Sequence, residues 1–488
     1  MLHNRFAVQL EPSLKNLPRP GNLDNSTSTI WLPDSLWKGD AFRSDVALEA
    51  DEAGTVARVA LANEDARAIK LRGRAILPGL VNAHSHAFQR VIRGRTEYRT
   101  ANQHDSFWTW REMMYSAALR LTPEDVYDAS RMAFLEMALS GVTAVGEFHY
   151  LHHAADGTPY DDQNLLAKQV VRAANDVGLR IALLRVAYAR AGFEVEPNPQ
   201  QVRFIETKPA DYLKNLESLA HDLNDSDGMA WTGVAPHSVR AVPLNYLKEI
   251  IAAANARGLP VHMHVAEQPA DVSACIKEYG RSPVALLATE GLLSERFTGV
   301  HMIHVTAKAI RQFAEARAMV CACPTTERNL GDGIVPADKL FEQNIRVSLG
   351  SDSHVQIDLL EDARAIEYQL RLQKMERAVL AGADDARPSA LAARLFECAT
   401  VNGAQSIGAP GGVLDEGRPA DFFTVDLDDP SVAGASADDL LAAIVFSSSR
   451  TAIKDVWVSG KQIVADGRHS DQEEIVSKFK ALQKKLWS

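Results

Sequence analysis

Hydrophobic and polar positions alternate in two different ways along this chain, and the change between them marks its organisation. From Ile76 to about residue 407, short continuous apolar runs are separated by longer stretches with helical spacing. That alternation predicts βα units around a parallel sheet. The first run leads from Ile76 into a pair of histidines; the others cover residues 141–148, 180–188, 229–236, 259–265, 298–305, 318–323 and 345–349. Helical spacing predicts helices that include 107–119, 122–140, 243–257, 307–317 and 358–381. Thr122-Pro-Glu-Asp is a good helix start, with a capping side chain followed by proline and two acids. Eight strands with helical crossovers predict a (β/α)8 barrel. An open doubly wound sheet is the alternative, but no Gly-x-Gly-x-x-Gly follows the first strand, so dinucleotide binding has no support.

Outside that span the pattern is β-rich. Before it, short candidate strands fall at 29–32, 45–50 and 55–61, separated by turn residues. After it, 412–426 reads as strand, turn, strand, and 453–459 with 461–464 reads as a hairpin about Gly460. An amphipathic helix is predicted at 473–487. Chain ends often lie close together, so the two β-rich ends are expected to form one small domain. The expected division is 1–75, 76–407 and 408–488.

Polar residues collect where the predicted strands end. The first strand runs into His84-Ser-His86, the second into Glu147-Phe-His149-Tyr150, and the fourth into His237-Ser-Val-Arg240. The fifth reads His262-Met-His264-Val-Ala-Glu267, the sixth His301-Met-Ile-His304, and the eighth Ser351-Asp352-Ser353-His354. Residues i and i+2 of a strand share a side, so His84 and His86 can aim two imidazoles at one point. One His-x-His alone is weak evidence. Ligand-type residues at several strand ends are different, because the C-terminal strand ends are where a (β/α)8 enzyme carries its site. His84, His86, His264 and Asp352 would offer a divalent metal three nitrogens and one oxygen, with a position open for water. Glu267, three residues past His264, is placed to shuttle protons without ligating. His262 shares strand parity with His264 and reads either as a rival ligand or as inward-facing filler. His304 is opposite in parity to His301 and reads as a supporting residue.

The formal charge of −11, from 52 basic and 63 acidic residues, argues against nucleic-acid or anionic-membrane binding. No apolar stretch is long enough to cross a membrane, and the first residues lack the apolar core of a signal peptide. Cys275, Cys321, Cys323 and Cys398 include no Cys-x-x-Cys pair and make no disulfide framework. A reducing cytoplasm is the expected location.

Pro78-Gly-Leu-Val-Asn-Ala-His84-Ser-His86, His264-Val-Ala-Glu267, His301, Ser351-Asp352 and Gly412-Val-Leu-Asp-Glu-Gly-Arg-Pro-Ala-Asp421 together resemble the amidohydrolase superfamily over nearly the whole chain. The resemblance implies a distorted (β/α)8 TIM barrel with a small β-sandwich built from both ends. No lysine stands at the end of the fourth strand, where binuclear members carry a carbamylated one. That departure points to the mononuclear deaminase branch, with one divalent metal per chain and with Glu267, His301 and Asp352 catalytic. A three-nitrogen, one-oxygen site suits zinc and also admits iron.

Longer motifs narrow the resemblance. His84-Ser-His-Ala-Phe-Gln89, Phe107-Trp-Thr-Trp-Arg111, Gly146-Glu-Phe-His-Tyr150, Pro236-His237-Ser-Val-Arg240 and Cys323-Pro-Thr-Thr-Glu-Arg-Asn-Leu-Gly-Asp-Gly333 are similar to the formimidoylglutamate deiminases. That family converts N-formimino-L-glutamate to N-formyl-L-glutamate and ammonia in histidine degradation. The resemblance implies that Gln89, Arg111, Tyr150, His237 and Arg240 meet the substrate and that the chain forms a homodimer. Two arginines suit a small dicarboxylate, since arginine pairs bidentately with carboxylates. The alternative reading is a deaminase of a cyclic amidine such as guanine, with the same metal chemistry and a different pocket.

Overall fold

The computed structural model describes residues 28–62, 65–99, 106–382 and 387–488. The first residues, from which the absence of a signal peptide is read, lie outside them. The chain begins with five strands: β1 (Thr29–Lys38), β2 (Ala41–Arg43), β3 (Val46–Ala50), β4 (Val56–Leu61) and β5 (Ile69–Pro78). Eight parallel strands follow: β6 (Leu80–Ser85), β7 (Val142–His149), β8 (Arg180–Ala187), β9 (Ala230–Pro236), β10 (Val261–Val265), β11 (Phe297–His301), β12 (Met319–Ala322) and β13 (Val347–Leu349). β14 (Phe422–Asp426), β15 (Ile453–Val458) and β16 (Lys461–Val464) end the strand series, before a terminal helix Gln472–Trp487.

β6 to β13 pair in chain order. β6, β7 and β8 are buried at every position, as expected for strands enclosed by helices on one face and a packed barrel on the other. The ring closes between β13 and β6 only through the bridge Ser85 to Asp352, not through a full ladder. This is the distortion in the barrel. Helices start where the sequence signals them. Before Pro123–Leu139, the Thr122 side chain accepts from the Asp125 N–H, and the Asp125 carboxylate accepts from the Thr122 N–H.

The two chain ends meet in one mixed sheet, ordered β16-β15-β14-β5-β1-β3-β4, with β2 on β1. It has its own core of Trp31, Leu48, Phe422, Trp457 and neighbours. Trp31 on β1 and Trp457 on β15 are three strand spacings apart, about 14 Å in a flat sheet. Their rings lie 6.4 Å apart, so the sheet curls over that core.

Several elements differ from the patterning. The first apolar run is two strands, not one: β5 belongs to the mixed sheet and β6 to the barrel. The break falls at Gly79, where a Cβ would lie 2.2 Å from Thr143 Oγ1. The sixth barrel strand stops at His301 because His301 and Met302 adopt φ of 73° and 55°. The helix expected to reach residue 381 ends at Lys374, with Met375 left-handed at φ 57°. Residues 412–421 form no named strand, only a bridge between Pro419 and Thr55.

Asp421 joins the two units. Its carboxylate accepts from Arg180 Nε at 2.7 Å and from the Ser459 N–H at 2.7 Å, while its carbonyl accepts from the Gly79 N–H at 3.0 Å. Arg180 and Asp421 are almost wholly buried. Asp421→Ala would leave the guanidinium buried without its charge partner, and should cost about 3–5 kcal/mol in denaturant unfolding. An unchanged midpoint would show that the joint carries little of the stability.

Candidate active site

His84 lies on β6 and His86 just beyond it, so the strand's alternation sends both imidazoles to the same side. His264 arrives from β10 and Asp352 from the loop after β13. His84 Nε2 lies 3.2 Å from His86 Nε2 and 3.2 Å from His264 Nε2. Asp352 Oδ1 stands 3.1 Å from His86 Nε2 and 3.4 Å from His84 Nε2. The opposite ring nitrogens fix two tautomers. His86 Nδ1 donates to the Phe148 carbonyl at 2.9 Å and His264 Nδ1 to the His237 carbonyl at 3.1 Å. Their Nε2 lone pairs therefore point at the common centre.

This arrangement fits a divalent cation. Zinc–nitrogen bonds of about 2.1 Å at a tetrahedral angle place two nitrogens about 3.4 Å apart. Burial pushes His84 down to about 3 and holds His264 well below the ordinary histidine value, so both imidazoles are neutral ligands. Burial would raise the Asp352 carboxyl, but His84 and His86 hold it well below the usual carboxylate range. His262 does not join the group: it is fully buried lower in the barrel, bonding the Ser406 carbonyl at 2.9 Å. It is filler. His304 also stands apart, with Nε2 donating to the Asp332 carbonyl at 2.9 Å.

Beside the four donors, His301 Nε2 lies 3.8 Å from Glu267 Oε1 and 3.9 Å from Asp352 Oδ2. Its Nδ1 faces Glu327 Oε1 at 3.1 Å. Burial works against a charged His301, but Glu267, Glu327 and Asp352 outweigh it and raise its pKa. Burial likewise raises Glu267, with His301 opposing. Ala266, His301, Asp352 and His354 all have positive φ, strain concentrated where the strands deliver these side chains. Glu327 was not singled out by the sequence reading. It lies 26 residues from His301 on a short helix, Pro324–Leu330, and no local pattern marks that pairing.

A pocket with about 550 Å3 of empty space, partly continuous with solvent, opens over this group. Gln89, Arg111, Tyr150, His237 and Arg240 all line it, as do Glu267, His301 and Asp352. Helix Phe107–Ala118 presents Phe107, Arg111, Met114 and Tyr115 on one face, at i, i+4, i+7 and i+8. Arg111 stacks over the Trp108 ring at 4.3 Å, and its buried Nε and Nη1 have no partner among the described residues. Arg240 is tied instead: Nε donates to Asp271 at 3.0 Å and Nη1 to the Ala191 carbonyl at 2.9 Å. Gln89 Nε2 donates to the Tyr150 hydroxyl at 2.7 Å. The lining is also more aromatic than the two arginines suggested, adding Trp110, Tyr188 and Phe204.

The amidohydrolase family model matches residues 75–463, and the chain belongs to that family. It is a hydrolase acting on a carbon–nitrogen bond. It is 39% identical to the formimidoylglutamate deiminase of Pseudomonas aeruginosa, over 83% of this chain and 88% of that one. It is 28% identical to a 5-methylthioadenosine/S-adenosylhomocysteine deaminase of Halobacterium salinarum, over 90% of this chain and 93% of that one. Among solved structures it superposes on an amidohydrolase from Brucella melitensis with TM-score 0.87 and 32% identity, covering 94% of this chain and 100% of the other. A zinc-containing adenosine deaminase from Xanthomonas campestris shares the fold, with TM-score 0.78 and 22% identity over 94% and 98% of the two chains. Among the described residues no helix is long and apolar enough to cross a membrane.

Elemental analysis after metal loading and dialysis should find close to one tightly held divalent equivalent per chain. His264→Ala removes one of four donors, and its metal content should fall well below the unmutated protein's under the same dialysis. Full retention would move the ion elsewhere.

Proposed function

We propose that this chain hydrolyses N-formimino-L-glutamate to N-formyl-L-glutamate and ammonia. The observation that carries the reading is Arg111, whose buried Nε and Nη1 lack a partner among the described residues while the side chain faces the pocket over the four donors. A buried guanidinium without a partner is costly unless a ligand anion completes it. Formiminoglutamate supplies two carboxylates, one for Arg111 and one for Arg240. The identity to the Pseudomonas aeruginosa deiminase supports the same substrate.

His84, His86, His264 and Asp352 would hold the cation, with zinc suited to the donor set. When bound there, a divalent ion supplies Lewis acidity and lowers the pKa of a water. The rest falls to side chains. Arg111 and Arg240 fix the carboxylates, and Gln89, Tyr150 and His237 shape the path to the formimino carbon. Asp352 and His301 orient the attacking water, and the Asp352 carboxylate draws off its proton as oxygen adds to that carbon. Glu267 carries a proton to the nitrogen that leaves as ammonia. His301, held by Glu327, donates to the charge that develops at the reacting centre. A homodimer is the assembly that the resemblance implies, and the cytoplasm is the expected location from the cysteine pattern.

Glu267→Gln should keep metal and fold while turnover falls about 10²-fold or more. Near-normal turnover would pass the proton-carrying role to His301. Arg111→Met should lower kcat/KM on formiminoglutamate by about 10- to 150-fold, the worth of one or two charged hydrogen bonds, with metal retained. An ammonia-release comparison of formiminoglutamate, formamidine, adenosine and guanine tests the substrate itself. Formamidine has the reacting group without carboxylates and should be very poor. If guanine or adenosine were turned over as well as formiminoglutamate, and Arg111→Met behaved as wild type, the ring-deaminase reading would replace this one.

A further inference from the structure

We propose that a second, weaker site for a thiophilic divalent cation lies beside the four donors, formed by Cys323, His301 and Asp352, and that filling it stops turnover. Each of the three residues offers a ligand atom within 4.8 Å of the other two, and all three are buried. Asp352 divides its oxygens between two groups. Oδ1 faces His84 and His86, while Oδ2 lies 3.9 Å from His301 Nε2. A carboxylate shared this way can bridge two ions about 3.5–4 Å apart.

The surroundings of a ligand are already built. Glu327 Oε1 faces His301 Nδ1 at 3.1 Å, which leaves Nε2 free for the pocket. A carboxylate behind the far ring nitrogen is the usual support of a metal-binding histidine. The same Oε1 accepts from the Cys323 N–H at 2.9 Å, so one buried carboxylate sets the thiol and the imidazole together. A sulfur, nitrogen and oxygen set selects zinc, cobalt or cadmium over magnesium or calcium.

Two features make the site weak. Metal–sulfur bonds of about 2.3 Å and metal–nitrogen bonds of about 2.1 Å need donors closer than the unliganded spread, so the side chains must draw in. Burial also keeps the Cys323 thiol protonated, its pKa held well above the ordinary range. Binding must release the thiol proton, and any proton on His301 Nε2, to solvent. The inhibitory part rests on the proposed role of His301. An ion on Nε2 removes that nitrogen from the reaction and stands against Glu267, whose Oε1 is 3.8 Å away from it.

The test uses full-length protein stripped of metal, loaded with one equivalent of cobalt(II), then titrated with more. The first equivalent should give d–d bands without a thiolate charge-transfer band, and should support deimination. Further cobalt should raise a thiolate-to-cobalt charge-transfer band, with turnover falling in step. Magnesium should do neither. Cys323→Ser should abolish the band and weaken the inhibition by about 10-fold or more, with the first equivalent and its activity intact. Cys321→Ser should keep the band. The proposal is overturned if excess cobalt produces no such band in the unmutated protein, or if Cys323→Ser is inhibited as before. Because the band reads binding alone, a chain that took up the second ion yet deiminated nothing would support this site and count against the proposed function.

Discussion

The structure depends on how the barrel closes. β6 and β13 are never joined by a full ladder; their strand ends are tied by groups that also make the site. The Asp352 N–H donates to the His84 carbonyl at 3.0 Å, and the His86 N–H donates to the Asp352 carbonyl at 3.1 Å. One turn lower, the Asn82 amide donates to Ser351 Oγ at 2.7 Å and accepts from the Ser351 N–H at 3.0 Å. Gly350 permits the approach, since a Cβ there would stand 2.7 Å from His84 Cβ and 2.8 Å from the His84 carbonyl oxygen. Closing the ring and bringing Asp352 to the histidines are therefore one event. The same seam explains the charge pattern, because it seats a buried carboxylate against the imidazoles of His84 and His86. Such a group is stable only when a cation completes it or its protons are redistributed.

Support for that seam comes from side chains with no chemical part of their own. His354, fully buried, contacts Ser85 Oγ and Ser351 Oγ at 3.1 Å each. Ser85 in turn donates to Glu147, whose other oxygen accepts from the Ala87 N–H at 2.7 Å. Burial pushes Glu147 up to about 8. His149, at the end of β7, is buried with its ring 6.1 Å from that of His152, and neither lines the pocket. Polar residues at strand ends thus serve two ends, one chemical and one architectural, and only the fold separates them.

That separation also sets what could be read from the sequence. His84, His86, His264 and Asp352 were legible because strand alternation and the C-terminal rule together fix where such residues go. Parity alone left His262 open; depth along β10 decides it, and sequence spacing carries no depth. Glu327 and Asp271 were not legible, since each acts through a partner, His301 or Arg240, brought near by the packing of separate βα units. The split of the first apolar run at Gly79 was hidden for a related reason. An unbroken hydrophobic run looks the same whether it stays in one sheet or crosses between two, and the evidence for crossing lies on Thr143, 64 residues later.

The two pocket arginines are held in different ways, and the difference bears on the proposed substrate. Where one fold hosts several chemistries on the same kind of metal group, discrimination has to come from the walls. Arg240 is held on two sides by Asp271 and the Ala191 carbonyl, which fixes its direction and leaves few N–H groups for a ligand. Arg111 is held by ring contact instead, on Trp108, with Tyr115 at 5.4 Å. Stacking restrains the guanidinium plane without using its donors. The first arrangement orients one anchor; the second preserves a fork able to meet a carboxylate with two bonds. A flat uncharged ring would use the aromatic walls and leave that fork unpaired in a buried setting, which is a penalty against the ring as much as a gain for the dicarboxylate.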